Sequence, residues 1–356
     1  MKSIKLKEMK IGKFSLKYPI IQGGMGIGIS LGNLAGSVAR EGGVGVISMV
    51  DIGYEEKDFY TNTIEANKRA FRKELQKARE IAKGSGIIAV NIMRAINNFE
   101  EYVKVAAEEK IDAIIVGAGL PINLPELVKG SDVMIAPIVS SARALRLIIT
   151  KWKNSYQRLP DFIVVEGPRA GGHLGFSKEE VEDEQFSIQN ITKQVFEYLK
   201  SNESIIGKIP FFSAGGINSP EDVNEIISLG ADGVQAATPF ILTNECDASD
   251  GYKKVIQQST KDDLRIMKSP VGLIGRAVNT PFLQKISLGR IAPTRCIDCI
   301  QACNPKTTIY CITEALINAV RGDYENGLFF CGANAGNGKE IKSVKEVIEE
   351  LVSKLK

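Results

Sequence analysis

The 356-residue chain has one histidine, His173, so any imidazole chemistry must pass through that residue. It also lacks an apolar run long enough to span a bilayer, and its first residues, Met1 to Glu8, alternate charge with apolar side chains without a hydrophobic core of the secretory kind. A cytoplasmic protein is expected, with no membrane partner. Charge of one sign is missing as well: 45 basic and 42 acidic residues leave a net +3. There is then no basic stripe to follow a phosphate backbone, and nucleic acid is not expected as a partner. The six cysteines are few for this length and come without a secretory context, which excludes a disulfide framework and leaves reduced thiols or ligands. What remains, at 44% hydrophobic and 24% charged residues, is the composition of an enzyme acting on a small molecule. A homodimer is the default assembly for such a protein.

Short β-rich apolar runs recur through the first two-thirds of the chain with helix-like segments between them, the pattern of repeated βα units. Eight can be counted: Tyr18 to Gly24, Gly43 to Met49, Gly86 to Met93, Ala113 to Gly119, Val133 to Val139, Phe162 to Gly167, Pro210 to Gly216 and Gly233 to Pro239. Eight such units close a parallel barrel, so the expected fold is an α/β TIM (β/α)8 barrel over residues 1–263. The spacing predicts a long helix over Asp58 to Lys83. It predicts another after the seventh run, where Asn218-Ser-Pro-Glu-Asp supplies a cap and a first-turn proline. Beyond Asp263 the rhythm stops. A small helical cap over 264–342 and a final helix over 343–356 packing back on the barrel are expected.

In such a barrel the C-terminal ends of the strands form one rim, and small or polar residues at those ends converge. His173 lies just past the sixth run, in Gly171-Gly-His173-Leu-Gly, where glycines let backbone approach a ligand and proton transfer can follow. Gly215 and Gly216 end the seventh run and can turn backbone N–H groups to a phosphate at a helix N-terminus. On the neighbouring run Gln235, Ala236, Ala237 and Thr238 supply small side chains, a hydroxyl and backbone donors. The first run ends in Gly23, Gly24 and Met25, a flat lining for an aromatic ring; its glycine spacing does not fit the dinucleotide fingerprint.

The ordered set Pro19-Ile-Ile-Gln-Gly-Gly-Met25, Val90-Asn91-Ile, Gly171-Gly-His173-Leu-Gly, Ala214-Gly-Gly-Ile217 and Gly230-Ala-Asp-Gly-Val-Gln-Ala-Ala-Thr238 resembles the nitronate monooxygenase family. It is similar too to the related FMN-dependent enoyl-acyl-carrier-protein reductase II. The resemblance implies FMN held non-covalently: Gly23, Gly24, Met25, Asn91 and Gly172 around the isoalloxazine, and Gly215, Gly216 and Gln235 to Thr238 around the ribityl phosphate. It makes His173 the active-site histidine, as acid/base or anion-binding group, in the oxidation of small alkyl nitronates. The alternatives are an NAD(P)H-dependent enoyl-acyl-carrier-protein reductase or quinone reductase, with NAD(P)H as co-substrate, and a non-catalytic flavin-binding redox sensor. The chain departs from the family in carrying Ala237-Thr238 for Gly-Thr and Arg169 for the usual glutamate, which leaves the substrate class open.

Cys296, Cys299, Cys303 and Cys311 stand apart from all of this. Three and then four residues apart, the first three share one face of a helix that Pro305 would end. The four thiols are readable as a core stripe, a zinc site or an iron–sulfur site. Cys246 and Cys331 read as unpaired and structural.

Overall fold

The computed structural model describes residues 8–355; most of the charge-alternating N-terminal run, Met1 to Lys7, lies outside them. A hairpin, β1 (Met9–Ile11) and β2 (Phe14–Leu16), comes first. The first six barrel strands follow as β3 (Ile20–Gln22), β4 (Val44–Ser48), β5 (Ile87–Met93), β6 (Ala113–Gly117), β7 (Met134–Val139) and β8 (Ile163–Glu166). A short strand β9 (Gly172–Leu174) stands outside the barrel, which β10 (Phe211–Ala214) and β11 (Gly233–Ala236) complete. All eight expected runs are barrel strands, and β11 closes on β3 in parallel through Val234 opposite Ile20. The chain is a TIM barrel.

These strands bury both faces, which is why they are legible as continuous apolar runs without alternation. Inward-facing Val44, Ile87, Ile115, Val164 and Phe212 fill the barrel, and Ile11 and Leu16 of the first hairpin join the same cluster. Outward-facing residues such as Ile47, Val90 and Ile135 pack under the helices. Each buried Val or Ile contributes about 1.5–3 kcal/mol through apolar area removed from water.

The helix expected from Asp58 begins instead at Thr63 and runs to Ala82. Residues before it form turns, closed by Asn62 N–H donating to the Asp58 carbonyl at 2.7 Å. After β10 the helix Pro220–Ser228 starts as expected, with Ser219 Oγ accepting from Asp222 N–H at 3.2 Å.

The cap is not wholly helical, contrary to expectation. It opens with strands β12 (Leu264–Lys268) and β13 (Ile274–Val278), and β13 pairs antiparallel with β9, placing Gly275 opposite His173. The histidine segment therefore belongs to a three-stranded sheet shared by barrel and cap. Helices Pro281–Leu288 and Ile312–Val320 flank an irregular stretch, 289–311. The helix expected to carry Cys296, Cys299 and Cys303 does not form. Asp298 sits at φ +52°, a left-handed conformation that no α-helix continues. The last helix, Val344–Val352, packs against helices Gly32–Arg40 and Pro220–Ser228 of the barrel. Among the described residues no helix is long and apolar enough to cross a membrane.

Candidate active site

At the C-terminal ends of the strands lies a cavity of about 220 Å³. The structure brings together there His173 and every residue expected to hold a cofactor: Gly23, Gly24 and Met25 from the first strand end, Asn91 from β5, and Gly172 from β9. Gly215 and Gly216 follow β10, and Gln235 to Thr238 come from the end of β11 and the start of the helix Thr238–Ile241. Cap residues Ile312, Leu316, Phe330, Cys331, Gly332 and Asn334 line the same space, so the cap roofs the barrel mouth.

His173 is held by its strand pairing and by side-chain contacts. Its Nε2 lies 2.8 Å from Ser269 Oγ, and the Phe330 ring meets it edge-on at 5.2 Å between centroids. Burial lowers its pKa from 6.5 to about 4, so the imidazole is neutral near pH 7. A standing cation is thereby excluded; the ring offers one N–H and one lone pair.

The glycines of the first and seventh strand ends answer to different constraints. A methyl group on Gly24 would stand 2.4 Å from Asn91 Cβ, so this glycine lets β3 and β5 approach. Gly215 and Gly216 have φ of +100° and +93°, conformations suited to glycine. Among the described residues their N–H groups meet no acceptor. Free backbone donors in such a turn make a cradle for an anion. Beside it, Asn218 Oδ1 is buried without a donor, a group that calls for a hydroxyl or N–H from a ligand. Thr238 Oγ1 is already engaged, accepting from Gly332 N–H at 3.2 Å, and so ties barrel to cap.

Several contacts around the site carry no local signal in the sequence. Arg276, buried on β13, donates to the carbonyls of Pro168 at 2.7 Å and Ala170 at 2.6 Å, which shapes the loop ahead of His173. Arg169 donates to Asn334 Oδ1 at 2.6 Å, and Asn334 Nδ2 donates to Gly216 carbonyl at 2.7 Å. Both guanidiniums thus face neutral acceptors, with no carboxylate paired to either among the described residues. Cys331, expected to be merely structural, lines the cavity from the cap.

Two carboxyls also line it. Burial raises Glu166 from 4.5 to about 7, and burial raises Asp51 from 3.8 to about 6 against the opposing hydrogen bond from Thr313 Oγ1 at 2.7 Å. Between pH 4.5 and about 7 the folded protein holds a proton on Glu166 that the unfolded chain has released, so this group's contribution to stability falls as pH rises through that window. His173 acts in the opposite sense, its contribution falling as pH drops from 6.5 towards 4. Glu166→Gln is expected to stabilise the protein by on the order of 1–3 kcal/mol near pH 8 and by little near pH 4. Thermal melts at the two pH values check this, and an equal shift at both would refute a raised carboxyl.

The four cysteines lie elsewhere, around a second, smaller cavity. Among the described residues no group of three or more His, Cys, Asp and Glu side chains is placed to hold a single metal ion.

Comparison with known proteins gives the family and agrees with the fold. The nitronate monooxygenase family profile matches residues 7–354. A probable nitronate monooxygenase of Staphylococcus aureus strain Newman is 27% identical over 297 residues, spanning 77% of this chain and 78% of that protein. The structure of FabK from Thermotoga maritima aligns with a TM-score of 0.72 at 25% identity, covering 96% of this chain and 93% of that one. Nitroalkane oxidase from Streptomyces ansochromogenes shares the fold, with a TM-score of 0.69 at 16% identity over 95% and 96% of the two chains. A match over nearly the whole length makes the protein an enzyme and removes the non-catalytic sensor left open by the residues alone. The chain belongs to the nitronate monooxygenase family and is an oxidoreductase of that type on a TIM barrel.

Proposed function

We propose that the protein is an FMN-dependent oxidoreductase that oxidises small alkyl nitronates. The observation that carries this reading is one cavity in which His173, the free N–H groups of Gly215 and Gly216, and Arg169 meet at the strand C-termini. Gly215, Gly216 and Gln235 to Thr238 would hold the phosphate end of FMN; Gly23, Gly24, Met25, Asn91 and Gly172 would surround its ring. The cradle fits the group: its N–H donors are unpaired among the described residues, its glycines adopt the positive φ that turns those donors outward, and the Asn218 amide oxygen awaits a donor. When bound, FMN supplies the electron acceptor.

The chain's own residues supply orientation and proton control. A nitronate is an anion, and Arg169, which lines the cavity without a carboxylate partner among the described residues, attracts it. Neutral His173, fixed by Ser269 and Phe330, donates a hydrogen bond to that anion; the anion in turn raises the imidazole's affinity for a proton. Phe330 and Leu316 of the cap exclude water from above.

The second reading, an NAD(P)H-dependent enoyl-acyl-carrier-protein or quinone reductase, is favoured by the likeness to FabK and by Arg169 at the position where the family carries glutamate. An anaerobic titration of the FMN-loaded protein separates the two. Bleaching of the flavin by an alkyl nitronate, with NADH and NADPH both ignored, is the expected result. Rapid bleaching by either nucleotide would overturn the nitronate reading in favour of the reductase.

A further inference from the structure

The sulfur chemistry of the cap is concentrated in residues 289–311, a long irregular stretch between two helices. Loops of that length without secondary structure are uncommon inside a compact domain unless function or a bound group holds them. Cys296, Cys299, Cys303 and Cys311 line one small cavity within it. None of the four is fully buried, whereas Cys246 and Cys331 are, so the four do not have the burial of thiols that merely fill a core. One donor already points to these sulfurs, Asp298 N–H to Cys296 Sγ at 3.4 Å; Thr313 Oγ1 lies 3.3 Å from Cys299 Sγ but gives its single proton to Asp51. Cys311 stands at the N-cap position of the helix Ile312–Val320, an end that favours negative charge, and its side chain makes no capping hydrogen bond.

We propose that these four cysteines hold a [4Fe–4S] cluster. Zinc would draw its sulfurs onto one point at about 2.3 Å, and no grouping of three ligands around one ion is present among the described residues. A four-iron cluster takes one thiolate at each iron, so its ligands stand around a space, as these four do. The cluster lies next to the candidate active site: Ile312 lines both cavities, and the Thr313 hydroxyl lies between Cys299 and Asp51 of the larger one. The assignment stands on the cysteine geometry and does not rest on the flavin reading.

Anaerobic reconstitution of the full-length protein with ferrous iron and sulfide, then desalting, tests it through iron, acid-labile sulfide and zinc content and the EPR spectrum after dithionite reduction. The expected result is roughly four iron and four sulfide per chain with a cluster EPR signal. Cys299→Ser and Cys303→Ser should each lose most of that iron while keeping the wild-type far-UV circular dichroism, and Cys246→Ala should retain it. Zinc in place of iron, about two iron per chain, no uptake of iron and sulfide, or full iron retention by Cys303→Ser overturns the proposal. Where a serine variant unfolds, the iron-to-sulfide ratio and EPR signal of the wild-type protein decide.

Discussion

His173→Ala is expected to slow turnover by about 100- to 10,000-fold, the range over which a positioned proton-transfer group contributes, while leaving FMN bound. Retention of the flavin follows from geometry: the proposed phosphate cradle is built from backbone at Gly215 and Gly216, just past β10 and apart from the histidine segment. Loss of turnover follows because the chain has no second imidazole to substitute. His173→Gln divides the two roles, since an amide keeps a neutral donor and acceptor but does not carry a proton near neutrality. Recovery in the glutamine variant assigns hydrogen bonding to the anion, and continued loss assigns proton transfer. Rates of flavin reduction by an alkyl nitronate under anaerobic conditions are the measurement, and turnover at the wild-type rate in the alanine variant would remove His173 from the reaction.

Gly216→Ala should act on cofactor retention instead. At φ +93° an alanine is strained by roughly 1–3 kcal/mol, and its methyl group would lie 3.0 Å from Arg169 Cβ. Each charge-assisted hydrogen bond lost from the cradle weakens binding by about 1.5–3 kcal/mol, so FMN affinity is expected to fall about 10- to 100-fold. Quenching of FMN fluorescence on titration with apoprotein reads this directly. An unchanged dissociation constant in a variant with native circular dichroism would move the phosphate away from this turn.

The barrel was legible because its strands are buried on both faces and most are bounded by glycine, so each appears as a short apolar run. The strand ends were legible for the same reason, and the residues expected there do share one cavity. The cap was not. Gly172 to Leu174 is too short a strand to show a period, and its partner Ile274 to Val278 is remote in sequence. Arg169 with Asn334, and Thr238 with Gly332, are contacts across the whole fold that leave no local pattern. The cysteine spacing was compatible with a helix, and the left-handed Asp298 that rules one out is not marked by residue type.

The roof of the cavity comes from the far end of the chain, whereas its floor is laid down by the first strand. During synthesis, at about 5–20 residues per second, the barrel strands all emerge before Phe330 to Asn334 do. A nascent chain therefore passes through a stage in which all the barrel strands are present but the mouth stands open to solvent, and the ligand cavity is completed only after them, with the helix Val344–Val352 still to follow.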